Sequence, residues 1–132
     1  MRIRRSTERW FKCDGDPDEG SILIKDLTPG ELQDIIDEAM PKSYEYDSDE
    51  KGTLTPRLSV KMDNTLQREL TFKTCILDWK NFYDEDDAPM ECTPENIIRA
   101  SRKIAGFNEF IIDCQDTLTR DIAKEKQGQE KN

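Results

Sequence analysis

WKNFYDEDDAPMECTPENI, residues 79–97, sets an aromatic run (Trp79, Phe82, Tyr83) against four consecutive acids, Asp84 to Asp87, and a Thr-Pro-Glu-Asn segment. The last of these is a helix start. Thr93 is the N-cap, Pro94 takes the first helical position, and Glu95 stands where the positive end of the helix dipole favours an acid. Asn96 occupies the place where a capping box takes Glu or Gln. The four acids admit a metal reading, but adjacent carboxylates on one loop point apart and repel, and nothing distant in the sequence completes a cage. A magnesium-dependent phosphoryl-transfer or nuclease site would also need positioned basic residues and a dry pocket. The acids therefore read as a hydrated turn between an aromatic anchor and a helix, stiffened by Pro89 and Pro94.

Downstream, Ile97, Ile98 and Ile104 begin an apolar face, and Gly106 is placed to split the segment into two helices. Phe107, Phe110, Ile111, Cys114, Leu118 and Ile122 then recur at helical spacing. The helical region is expected over 93–123, with a frayed polar tail over 124–132.

Upstream, the chain opens with a basic arm, residues 1–12, whose Trp10 and Phe11 suit an extended or edge strand that reaches the core. The turn-rich CDGDPDEG follows, then SILIKDL, a short buried strand around Ile22, Leu23 and Ile24. LTPGELQDIIDEAMP carries a complete helix start: Thr28 as cap, Pro29 next, Glu31 closing a capping box, and Leu27 with Leu32 as a hydrophobic staple. Leu32, Ile35, Ile36, Ala39 and Met40 share its apolar face, and Pro41 ends it. Residues 42–56 have few large apolar side chains and read as an exposed loop. Leu58, Val60 and Met62 alternate as a half-buried strand, and Asp63-Asn64-Thr65 reads as a turn. Residues 66–77 fit a returning strand, which makes a hairpin the preferred reading, although Leu66, Leu70 and Leu77 also share a rough helical face.

The expected fold class is α+β: one domain of 132 residues in which short antiparallel strands or a hairpin pack with amphipathic helices, ending in a helical region. With 29 acidic against 20 basic side chains and a net charge of −9, the composition argues for solubility and against binding nucleic acid or an anionic membrane. No run of about 18 apolar residues is present to span a bilayer, and no apolar segment follows the basic start as a signal peptide requires. The chain has no histidine, which removes the commonest general base and every Ser/His or Cys/His nucleophile arrangement. Its four cysteines are scattered without a CxxC pair, so a zinc site is not expected and reduced structural thiols are. DGDPDEG places Asp14, Asp16 and Asp18 like the opening of an EF-hand, but Gly20 falls one place late and Lys25 stands where a bidentate glutamate belongs. No catalytic, cofactor or metal-binding residue is assigned.

The order of segments also carries a resemblance. D-P-D-x-G, then L-T-x-G-E-L, then D-W-K-x-F, D-E-D-x-x-P-M, C-T-P-E-N and G-F-x-x-F-I, with an E-K-N end, is similar to small tail assembly chaperones encoded in tailed phages and prophages. The similarity is clearest over 76–132. One departure is that the acidic turn of that family closes with glycine, as D-E-x-G, where Asp87 and Ala88 stand here. The resemblance implies a non-enzymatic factor that binds the apolar, helical tape measure protein in the host bacterial cytoplasm, helps recruit tail tube protein, and is absent from the mature virion. A homo-oligomer is compatible with it. From amphipathicity alone, the expected partner contacts are Ile104, Phe107, Phe110 and Ile111, with Trp79 and Tyr83 behind them. The competing reading is an acidic interaction or regulatory module of a phage or prophage that mimics nucleic-acid charge.

Overall fold

The computed structural model describes the backbone of residues 1–130 and the side chains of residues 1–126. Nine elements follow in the order β1 (Glu8–Lys12), β2 (Ser21–Lys25), α1 (Pro29–Ala39), β3 (Lys42–Ser48), β4 (Leu54–Val60), α2 (Asn64–Cys75), β5 (Ile76–Lys80), α3 (Pro94–Lys103) and α4 (Phe107–Glu130). The class is α+β, as the sequence predicts. The sequence reads as one domain; contacts within the chain gather into two compact units, one made of Met1–Thr28 with the chain from Phe72 onward, the other of Pro29–Thr71.

The first unit is built on an antiparallel sheet of order β1-β2-β5. In β2 the side chains of Ile22 and Ile24 are fully buried while Ser21, Leu23 and Lys25 are half-exposed, the alternation of a sheet with one covered face. Trp79 lies opposite Ile22 and joins that face, and a bulge between Leu23 and Ile24 leaves Leu77 unpaired and exposed. Phe107, Ile111, Cys114 and Leu118 of α4, Ile97 and Ala100 of α3, and Phe72 and Cys75 of α2 complete one core with the sheet. Its aromatics meet edge to face: Phe107 stands 6.1 Å from Phe72 and 6.3 Å from Phe82 between ring centres. The indole Nε1–H of Trp79 donates to the Met90 carbonyl at 2.8 Å, which satisfies its polar edge inside the core. At the edge, β1 is tied to α4 by Arg9 Nη1 and Asp121 Oδ2 at 2.5 Å.

The helix starts follow local chemistry. Thr93 Oγ1 accepts the Asn96 N–H at 3.2 Å, and the Asn96 side-chain amide reaches back to the Glu91 carbonyl rather than to the cap itself. Ile104 ends α3 in extended geometry, and Gly106, at φ 80°, makes the break into α4 that the sequence implies. Ser101 donates to Asn108 Oδ1 at 2.7 Å and ties the two helices together. α4 continues as helix through Glu130, beyond the expected helical region of 93–123; the last two positions lie outside the described residues. α1 starts at Pro29 as expected, with Ile35 and Ala39 buried, but Leu32 and Ile36 are exposed.

Two assignments between residues 42 and 77 are corrected. The expected loop 42–56 is mostly strand: β3 pairs with β4 as an antiparallel hairpin from Lys42↔Val60 to Ser48↔Leu54, although its exposure is as expected. The expected returning strand 66–77 is helix as far as Cys75, and only Ile76–Lys80 is extended. The cause is Asp63, whose Oδ1 accepts the Leu66 N–H at 3.0 Å, so that D-N-T is a cap rather than a turn.

Candidate functional site

Three loops of the chain close in the same way. Asp49 Oδ1 accepts the N–H groups of Lys51 and Thr53 at 2.9 and 2.8 Å, and the Gly52 N–H donates to the Asp49 carbonyl. Asp84 Oδ1 accepts those of Asp86 and Ala88, both at 2.9 Å, and the Asp87 N–H donates to the Asp84 carbonyl. Asp16 takes the Asp18 and Gly20 N–H groups at 3.2 and 2.9 Å, and the Glu19 N–H donates to the Asp16 carbonyl. In each, the residue three after the aspartate is left-handed: Gly52 at φ 78°, Asp87 at 59° and Glu19 at 55°. This is a type I turn followed by a left-handed residue, with the aspartate serving both turn and bulge. The acids of DEDD and DGDPDEG thus divide into one structural aspartate per loop and solvated neighbours. Among the described residues no group of three or more Cys, Asp or Glu is arranged to hold a metal ion.

Glu85 has a separate task, because its carboxylate pairs with Arg99 and lies 4.0 Å from Lys103 Nζ, docking the acidic turn onto α3. On the other side of the turn, Met90 N–H donates to Phe82 O at 2.8 Å, and Asn81, left-handed at φ 62°, donates its amide to the Glu19 carbonyl at 3.1 Å. Gly20 sits so close to Asp16 and Phe82 that a Cβ there would meet Asp16 Oδ2 at 2.8 Å. These ties fix the β1–β2 loop beside the α3–α4 connector.

Between them lies a groove of about 500 Å3 lined by Cys13, Asp14, Asp16, Asp18, Phe82, Tyr83, Ile104, Phe107 and Phe110, among others. A second depression of about 260 Å3 begins across Tyr83 and Ile104 and runs to Glu85, Arg99 and Lys103. Tyr83 and Ile104 therefore form a ridge shared by both, and they keep 42% and 41% of their surface in water. Ile104 is held out by its position as C-cap, with its N–H still bonded to the Ala100 carbonyl at 2.9 Å. Burial pushes the Cys13 thiol up to about 11, with the Asp16 and Asp14 charges adding to the effect, so it stays protonated and a poor nucleophile near neutrality.

Of the six expected contact residues, the structure brings Tyr83, Ile104 and Phe110 together on this groove, with Phe107 as a buried part of its lining. Trp79 and Ile111 are core residues, 6% and 0% exposed, and stand apart from it. The sequence reading misses a second apolar surface, on the β3–β4 hairpin. Its signals were present: Y-E-Y and L-T-P-R-L-S-V alternate with period two, and D-E-K-G spells the turn between them.

No helix among the described residues is long and apolar enough to cross a membrane. Compared with protein-family models, curated proteins and solved structures, the chain matches none.

Proposed function

We propose that the protein is a non-enzymatic tail assembly chaperone of a tailed phage or prophage. It holds an apolar helical stretch of the tape measure protein in the host cytoplasm, helps recruit tail tube subunits, and leaves before the particle is complete. The observation that carries this reading is the groove at the α3–α4 connector, where Tyr83, Ile104 and Phe110 present apolar surface on a chain of net charge −9. A partner helix laid across it would bury aromatic and aliphatic anchors, the helix-in-groove mode of recognition. The acidic remainder of the surface keeps the complex dispersed. The ordered motifs shared with tail assembly chaperones supply the choice of partner.

Co-expression with the tape measure protein encoded beside this chain tests it. A soluble complex is expected, and Ile104→Asp with Tyr83→Ser should remove it while the far-ultraviolet circular dichroism is unchanged. A complex that survives both substitutions would exclude the groove. A charge mimic, by contrast, would bind a basic partner with affinity falling steeply as salt rises, whereas apolar binding is nearly salt-independent.

A further inference from the structure

The β3–β4 hairpin separates its residues by face. Because cross-strand partners share a face, Lys42, Tyr44, Tyr46 and Ser48 lie with Val60, Leu58, Pro56 and Leu54. The opposite face pairs Ser43 with Ser59, Glu45 with Arg57 and Asp47 with Thr55. There Arg57 reaches Glu45 at 3.0 Å and Asp47 at 3.7 Å, and Lys61 reaches Glu45 at 3.6 Å. One face is thus a charge ladder suited to water. The other carries two tyrosines, two leucines, a valine and a proline, yet Tyr44, Tyr46, Leu54, Leu58 and Val60 keep between 44% and 66% of their surface exposed.

A two-stranded sheet is marginal in water, and a layer with one apolar face is stable when a second layer covers it. The exposed side chains amount to roughly 500 Å2, at the upper end of what monomers leave bare. Strand addition at an edge is a poor way to cover a face, and Pro56 in the middle of β4 is hostile to it.

We propose that this face pairs with the same face of a second copy of the chain, two hairpins stacking about a twofold axis into a four-stranded, two-layer sandwich. The charges choose the orientation. Lys42 is the only charged residue on the apolar face and lies at its open end, while Glu50 lies in the turn at the other end, beside Asp49. A parallel stack would set Lys42 against Lys42. The antiparallel stack lays each Lys42 over the partner's turn and its Glu50, and the same contact is made twice, as a twofold interface requires. About 500 Å2 per copy is below the roughly 800 Å2 of a standard stable interface, so the dimer is concentration-dependent.

Sedimentation equilibrium of the whole chain from micromolar to millimolar concentration tests this. The wild type is expected to pass from monomer to dimer, and Leu58→Glu to weaken the dimer by about 100-fold or more, since it buries a charge in the apolar layer. Lys42→Glu alone should weaken it several-fold, and Lys42→Glu combined with Glu50→Lys should restore it. A chain that stays monomeric throughout, or a dimer indifferent to Leu58→Glu, overturns the pairing. So does a monomer in which Leu58→Glu abolishes only tape measure binding, because the face then belongs to that partner. A double variant no better than Lys42→Glu overturns the twofold orientation.

Discussion

At the scale of single residues, the aspartates that invite a metal reading are turn residues. Asp87 is the informative one, because it stands at φ 59°, where a side chain is strained and glycine is not. Asp87→Gly should therefore raise stability by about 0.5–1 kcal/mol, measurable as a higher urea midpoint with an unchanged slope. Asp84 carries a pH signature. Hydrogen bonds from the Ala88 and Asp86 N–H groups hold its carboxyl below the usual value of 3.8. The folded state then binds the proton more weakly than the unfolded chain, so the stabilisation is complete above 3.8 and is lost as pH falls through the lower folded value. Arg9 lowers Asp121 and Arg57 lowers Glu45 in the same sense. The thermal midpoint should decline on acidification below that point, and Asp84→Asn should remove part of the decline while lowering the midpoint at neutral pH.

At the scale of elements, how much was legible depended on whether the deciding signal was local. The start of α3 was readable from T-P-E-N because one hydroxyl and one N–H decide it; Thr93→Ala should cost about 1 kcal/mol, read from denaturant unfolding. α2 was misread because its leucines tolerate either period, and because Asp63 is as good a turn residue as it is a cap. β3 was hidden by its charged face, whose Glu45, Asp47 and Ser43 make the segment resemble a loop by composition while the tyrosines of the opposite face keep the strand period. The groove was half legible. Apolar spacing picks out Tyr83, Ile104 and Phe110 but cannot separate them from Trp79, Phe107 and Ile111, because a helix stripe does not say which of its members a neighbouring strand will cover.

At the scale of the molecule, buried chemistry is quiet. All four cysteines are unpaired thiols, and burial pushes Cys75 and Cys114 up to about 12 and Cys92 up to about 11. Iodoacetamide at neutral pH should therefore leave Cys75 and Cys114 unmodified in the folded protein and alkylate all four once it is unfolded, as mass spectrometry of the intact chain would report. Low thiolate content and poor access act together here.

The core of the first unit also has an uncommon sequence span: Ile22 and Ile24 of β2 share one core with Trp79 of the neighbouring strand β5 and with Ile111 and Leu118 of α4, while residues 29–71 form a unit of their own. On a ribosome adding roughly 5–20 residues per second, the β1–β2 hairpin emerges first and waits several seconds for the strand and helix that cover it. The intervening unit has all its own residues well before then. β1 and β2 are thus synthesised well before the segments that enclose them, and during that interval SILIK is a bare apolar strand.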